Sequence, residues 1–144
     1  MTRVLYTAEA HLDGGRVDGH GRSSDGALDV ELRAPKETGG EGGGTNPEQL
    51  FAVGYAACFS SALGTVSRRE KTDTGPIAID SKVMLLPTQD RGFTLQVTLE
   101  VTLPGITDAS VAVELVRAAH QVCPYSNATR NNIDVALTAN GQPV

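Results

Sequence analysis

The sequence predicts an α+β fold, and three observations predict it. Apolar and polar residues alternate without a break from Phe93 to Leu103, as in a strand with one face buried and one wet. Leu50 to Val66 is apolar on nearly every side of a helix that Asn46 can cap. The elements run strands, buried helix, strands, helix, strand, which is not the strict strand-helix alternation of a doubly wound sheet. A chain of 144 residues is long enough for a core of its own, so residues 1–144 are read as a single domain.

Val4 to Leu12 reads as the first strand, Asp13-Gly14-Gly15 as a turn, and Leu28-Asp29-Val30-Glu31-Leu32 as an alternating strand. Asp25-Gly26 is a hairpin signal, since such turns need the positive φ that glycine adopts without strain. The run Gly39-Gly40-Glu41-Gly42-Gly43-Gly44 predicts a mobile surface loop; it lacks the Gly-Lys-Ser/Thr ending of a phosphate cradle. Asn46 caps the next helix, Pro47 suits its first position, and Gln49 at the third can reach back to the cap amide. The apolar character of Leu50 to Val66 predicts burial at the centre of the fold, and Gly54, Ala56, Ala57, Ala62 and Gly64 permit close approach by another element. Arg68 to Lys71 returns the helix to water with positive charge suited to the end of its dipole. Ile77 to Leu86 is expected to pair with the long alternating strand. Asp108 or Thr107 caps a second helix carrying Val111 or Ala112, Leu115, Val116, Ala119 and Val122 at helical spacing. Pro124 ends it by disfavouring helical geometry at Cys123, and Ile133, Val135 and Leu137 alternate in a closing strand.

Composition narrows the function. The net charge is -5, no run of Lys and Arg occurs, and aromatic residues are few, so the footprint of a nucleic-acid binder is missing. Met1-Thr2-Arg3-Val4-Leu5-Tyr6 offers no apolar signal segment, which makes the cytoplasm the expected location. Leu50 to Val66 falls short of the ~20 apolar residues of a bilayer span, so no membrane partner is expected. Without export, the sequon Asn127-Ala128-Thr129 carries little weight.

The chemistry centres on two cysteines. Thiols stay reduced in the cytosol, so a disulfide there is usually transient and catalytic. Cys58 lies well beyond the first turn of its helix, where the dipole cannot help form a thiolate, and apolar surroundings raise a thiol's pKa. Taken alone it reads as a small buried hydrophobe. A fixed cation would change that, because arginine lowers a neighbouring thiol's pKa and can hydrogen-bond an oxygen leaving group. Arg16 and Arg22 are the candidates, both in glycine-rich turns from which a side chain could fold over the helix, although an arginine in such a turn is more often a solvated loop charge. Cys123 follows Ala119 by four residues on the apolar face of the second helix, so a contact with Cys58 is feasible; a disulfide would further require α-carbons within about 7 Å. His120 is either a base for Cys123 or a helix-surface histidine. No C-x-x-C or H-x-x-x-H spacing supports a metal site.

The stretches Thr45-Asn46-Pro47-Glu48-Gln49-Leu50-Phe51-Ala52-Val53-Gly54-Tyr55-Ala56-Ala57-Cys58-Phe59 and Val122-Cys123-Pro124-Tyr125-Ser126-Asn127-Ala128-Thr129-Arg130 closely resemble the two cysteine motifs of the organic hydroperoxide resistance proteins, the Ohr branch of the OsmC/Ohr family. The resemblance extends over essentially the whole chain, including Gly14-Gly15-Arg16, Ser23-Ser24-Asp25-Gly26 and Asn132-Ile133-Asp134-Val135. It implies antiparallel sheets wrapped around central buried helices in an intertwined homodimer. It also implies a thiol peroxidase in which Cys58 is peroxidatic, Cys123 resolving, and Arg16 with its partner Glu48 tunes the thiolate. Between Gly14-Gly15-Arg16 and Ser23-Ser24-Asp25 this chain is one residue longer than the family pattern, with Arg22 in the added loop; the Gly-Gly-Arg context favours Arg16. Val53 stands where the family commonly has Ala, and Tyr125 to Arg130 separates this chain from the sister OsmC branch.

On this reading the Cys58 thiolate attacks the O–O bond of an organic hydroperoxide, Arg16 stabilises the departing alkoxide, and Cys58 is left as sulfenic acid. Cys123 condenses with it, and a dithiol reopens the disulfide by exchange; the resemblance implies lipoylated proteins as that donor. No bound cofactor is called for. Phe51, Tyr55 and Phe59 share the stretch of Cys58, so an apolar approach would favour alkyl or fatty-acid hydroperoxides, or the three rings pack the core. Glu48 and Cys58 are ten residues apart, about 15 Å along a helix. Either Arg16 bridges part of that gap or a second subunit supplies Arg and Glu. The competing class is a non-catalytic redox sensor or lipid-binding module using the same cysteines.

Overall fold

The computed structural model describes residues 2–144. The chain divides into two compact units, Met1–Leu50 and Phe51–Val144. The first is a three-stranded antiparallel sheet of β1 (Ala10–Gly14), β2 (Gly19–Ser23) and β3 (Asp29–Leu32), in the order β1-β2-β3. Its register puts His11 opposite Arg22, Asp13 opposite His20, and Arg22 opposite Asp29, so one face is charged. The residues between them in sequence, Leu12, Gly21 and Val30, lie on the other, apolar face.

One expectation for this unit is corrected. The sequence predicts one strand from Val4 to Leu12, yet the ladder begins at Ala10, opposite the last β2 residue Ser23; the Ser24 amide still bonds the Glu9 carbonyl at 2.9 Å before the chain turns at Asp25-Gly26. The glycine run lies in a loop, as the sequence predicts, and that loop carries backbone hydrogen bonds of its own. A 3-10 turn at Lys36–Thr38 precedes it, and the amides of Gly40 and Gly42 donate to the carbonyls of Pro35 and Ala34. A Cβ on Gly40 would lie 2.1 Å from the Ala34 carbonyl oxygen, so the close approach itself requires glycine there. The Asp25-Gly26 hairpin signal falls in the β2–β3 connection, with Gly26 at a φ of 75°.

Helix α1 (Pro47–Arg69) starts in the first unit and runs on into the second. Asn46 caps it as the sequence predicts: its side-chain oxygen accepts from the Gln49 amide at 2.9 Å. The helix is 23 residues long, six more than Leu50 to Val66, and has the length and composition of a bilayer span. Its burial is one-sided. Tyr55, Phe59, Ala62, Leu63, Val66 and Ser67 are buried, whereas Val53 on the opposite side is 72% exposed. Expected central burial is therefore met along one stripe within the chain.

The second unit continues with β4 (Ala78–Pro87), β5 (Phe93–Thr102), α2 (Ala109–Val122), α3 (Pro124–Thr129), β6 (Asp134–Ala139) and β7 (Gln142–Pro143). The sheet order is β4-β5-β6-β7. β4 and β5 pair antiparallel over their full lengths, as the sequence predicts. β6 runs parallel to β5, so the sheets are not purely antiparallel; the helices α2 and α3 provide the crossover that a parallel neighbour requires. Val97, Leu99 and Val101 of β5 are buried against Phe59, Leu63, Leu115, Val116 and Ala119, and each large side chain fully buried contributes about 1.5–3 kcal/mol. Asp108 rather than Thr107 caps α2, accepting from Ser110 and Val111. Ala112 is buried and Val111 exposed, which settles the face of α2.

Candidate active site

In the first unit Arg16 occupies the β1–β2 turn, from which its side chain reaches the first turn of α1. Its two terminal nitrogens donate to Glu48, Nη2 to Oε1 at 2.6 Å and Nη1 to Oε2 at 3.2 Å, a bidentate ion pair. The pair holds the Glu48 carboxyl below its ordinary range and the Arg16 guanidinium above its own, in both cases chiefly through this hydrogen bond. Glu48 also sits at the second position of α1, where the helix dipole favours a negative charge.

Arg22 is not in a turn. It lies on β2 and pairs with Asp29 across the charged face of the sheet, Nε to Oδ2 at 3.5 Å. The structure thus joins Arg16 to Glu48 and commits Arg22 elsewhere. Beside Arg16, the apolar face of the sheet forms a cleft of about 300 Å³ lined by Leu12, Leu28, Val30, Leu32, Pro47 and Leu50.

In the second unit Cys58 lies three turns into α1 and Cys123 between α2 and α3. Both are unbonded cysteines, and the Cys123 thiol donates to Cys58 Sγ at 3.4 Å. Cys123 is fully buried and Cys58 half-buried. Pro124 acts as predicted, holding Cys123 at φ -61° and ψ 123°, an extended conformation that ends α2. The chain does not then leave the helical region for a loop: Pro124 opens the short helix α3, an element the sequence reading missed. Proline both stops one helix and suits the first position of the next.

Burial pushes the Cys58 thiol up, the Tyr125 backbone amide opposes that as a donor, and the neighbouring Cys123 thiol pushes it up further. Three rings from the same two segments pack on one another: Phe51, Tyr55 and Tyr125, with centroids 5.7 to 6.1 Å apart. Tyr55 and Phe59 are fully buried and belong to the core; Phe51 is half-buried and Tyr125 exposed. Tyr125 was not singled out from sequence, although its position two residues after Cys123 was the available signal. A Cβ on Gly54 would lie 3.1 Å from the Tyr125 hydroxyl, so glycine lets this ring settle on α1.

His120 is neither of the two things expected of it. It is half-buried rather than on the surface, and its Nδ1 lies 2.8 Å from the Ser126 hydroxyl instead of serving Cys123. Burial, then the nearby Arg130 charge, hold it below the ordinary histidine range. Among the described residues, no group of three or more His, Cys, Asp or Glu side chains is placed to hold a metal ion.

Two antiparallel-rich sheets, a long central helix and a pair of apposed free thiols define the class: a small α+β protein with a two-cysteine centre. Residues 40–138 match a family model described as OsmC-like protein, and the chain belongs to that family. It is 53% identical over 140 residues to the organic hydroperoxide resistance protein of Xanthomonas axonopodis pv. citri, covering 94% of this chain and 95% of the relative. Against organic hydroperoxide resistance protein OhrB of Bacillus subtilis the identity is 46%, over 93% of this chain and 97% of the relative. The crystal structure of an organic hydroperoxide resistance protein OsmC from Legionella pneumophila superposes with a TM-score of 0.90 at 48% identity, covering 94% of this chain and 98% of that one.

Proposed function

We propose that this chain is a cysteine-based, thiol-dependent peroxidase that reduces organic hydroperoxides to alcohols. The observation that carries the reading is the pair of free thiols 3.4 Å apart, one buried and one half-buried, between α1 and the α2–α3 junction. The relatives in Xanthomonas and Bacillus, both named organic hydroperoxide resistance proteins, support the substrate class.

In this mechanism Cys58 is the nucleophile. Its thiolate attacks the distal oxygen of ROOH, the O–O bond breaks, the alkoxide takes up a proton as ROH, and Cys58 becomes sulfenic acid. Left to its own unit the Cys58 thiol is held in the neutral form, so the reading assigns activation to Arg16, held in its charged, oriented state by Glu48. The same guanidinium stabilises the leaving alkoxide. Cys123 then closes the disulfide, and a dithiol, by proposal the lipoyl group of a lipoylated protein in the cytoplasm, reopens it through a mixed disulfide. Phe51 and Tyr125 supply the apolar approach; no bound cofactor enters the cycle.

The working form in this proposal is a homodimer, whose support is the apolar, small-residue side of α1, where Val53 is exposed. A second reading, a thiol sensor that oxidises once, draws on the raised Cys58 pKa. The deciding experiment is steady-state reduction of cumene hydroperoxide beside hydrogen peroxide, with dihydrolipoamide and then a monothiol as donor. Rapid turnover preferring the organic peroxide and the dithiol is expected; a single equivalent consumed with no turnover would leave the sensor.

A further inference from the structure

We propose that His120, Ser126, Tyr55 and Thr129 form a one-way hydrogen-bond chain that positions the Cys123 turn against Cys58 and so governs closure of the disulfide. The inference rests on the peroxidase reading for its place in a cycle, but its geometry is independent of it.

The direction of the chain follows from which groups can only accept. Thr129 Oγ1 lies 2.9 Å from the carbonyl oxygen of Tyr125 and 3.3 Å from that of Ser126. A carbonyl has no proton to give, so the single Thr129 hydroxyl proton points there. Tyr55 Oη, 3.2 Å from Thr129 Oγ1, must then be the donor to it. The Tyr55 proton being used, Ser126 Oγ at 2.8 Å donates to Tyr55 Oη. The Ser126 proton is used in turn, so His120 Nδ1, 2.8 Å away, must carry the proton of the last link. His120 is thereby assigned the Nδ1–H tautomer, with Nε2 bare. Arg130 closes the head of the chain, donating from Nη2 to the His120 carbonyl at 2.5 Å and from Nη1 to Asn127 Oδ1 at 2.8 Å.

The chain joins the two sulfur-bearing segments. Tyr55 is three residues before Cys58, on the neighbouring turn of α1, and Ser126 is three residues after Cys123. Tyr55 and Ser126 are fully buried and Thr129 nearly so, so a broken link strands a hydroxyl with no water to take its place. Attack on peroxide makes and breaks bonds at the Cys58 sulfur, and Cys123 forms no covalent bond in that step. Closure needs both: the sulfurs must move from 3.4 Å to the ~2.05 Å of a bond with a near-perpendicular dihedral. In that step the S–S bond forms, the S–O bond of the sulfenic acid breaks, and its hydroxyl leaves with the Cys123 proton as water. Tyr55 is thus a positioning residue acting through α3.

The test compares wild type with Tyr55→Phe and Ser126→Ala. Sulfenic acid on Cys58 is trapped with dimedone in rapid-quench samples, with the first oxidation step as internal reference. Closure is expected to slow by at least about tenfold relative to that step in both variants, since small misplacements of reacting atoms cost this much or more. Closure is also timed with diamide, where the Cys58 thiolate adds to the azo bond and Cys123 displaces the hydrazine, which needs no peroxide. A wild type inert to organic hydroperoxide but slowed in closure by both variants with diamide would overturn the peroxidase reading and keep this one. Nitrogen-15 NMR of His120 in the reduced wild-type protein reads the tautomer directly and does not depend on a variant folding. A protonated Nε2, or closure unchanged in both variants, overturns the proposal.

Discussion

The Arg16–Glu48 pair and the Cys58–Cys123 pair are built on opposite physical terms. The first is two full charges, partly open to solvent and bidentate, and its geometry makes each partner more charged. The second is two apposed sulfurs between α1 and the α2–α3 junction, and burial favours the neutral form of Cys58. Under the proposed function, the difference separates activation from closure. Charge has to come from a group that stays ionised in every state, which arginine does, while bond formation needs two sulfurs held in dry, fixed register.

Removing a sulfur should have the largest effect. Cys58→Ser is expected to reduce peroxide turnover to background, whereas Cys123→Ser should still consume one equivalent and accumulate sulfenic acid or higher oxides, read by dimedone labelling and intact mass. Equal loss of the first oxidation step in both variants would contradict the assignment of Cys58 as nucleophile.

The packing around the thiol pair can be broken without touching either sulfur. Phe59 is fully buried next to Cys58, and Phe59→Ala is expected to lower stability by about 3–5 kcal/mol in urea unfolding. Phe93 is the same residue type at 73% exposure, so Phe93→Ala should stay within about 0.5 kcal/mol. Similar losses at the two sites would mean that the buried stripe of α1 is not what holds the second unit together.

Those two phenylalanines also show where the sequence was legible. Period-2 alternation located β5 and its pairing with β4, and cap chemistry located the starts of α1 and α2 at Asn46 and Asp108, because these signals are local. The cysteine pair and the Arg16–Glu48 pair are legible through motif resemblance, while composition alone reads Cys58 as a buried hydrophobe. What local signals missed was set by tertiary contacts. The β1 start at Ala10 depends on how far β2 reaches, and the parallel course of β6 on the α2–α3 crossover. Helix α3 was hidden because Pro124 was read only as a stop. Sequence reads His120 as either a base for Cys123 or a helix-surface histidine, because nothing in its own neighbourhood announces that the Ser126 hydroxyl meets its ring and Tyr55 meets that hydroxyl in turn.

The choice between the arginines is sharpened by a matched pair of substitutions. Arg16→Ala removes the donor assigned to the leaving alkoxide and is expected to lower kcat by about 10²–10³, the range for losing one preorganised oxyanion donor. Arg22→Ala removes an exposed partner of Asp29 and should change the rate by no more than about twofold, as exposed ion pairs contribute little. A larger loss at Arg22 than at Arg16, in single-turnover oxidation of Cys58, would move the activating role to β2.

The smallest expected effect lies in the acid stability of the ion pair itself. Arg16 holds the Glu48 carboxyl below its ordinary value in the folded state. A carboxylate whose folded pKa is depressed contributes stability that is fully present above its unfolded pKa and is lost as pH falls through the folded value. Glu48→Gln should therefore be less stable than wild type at neutral pH, by no more than about 1 kcal/mol because the pair is partly solvated. The difference should shrink as the pH is lowered from the ordinary glutamate range through the depressed one, since protonated Glu48 and the glutamine that replaces it are then alike in charge. Urea midpoints measured across that interval check the sign. A difference independent of pH would mean that Glu48 acts through packing or its place at the start of α1, and that its charge does not hold Arg16.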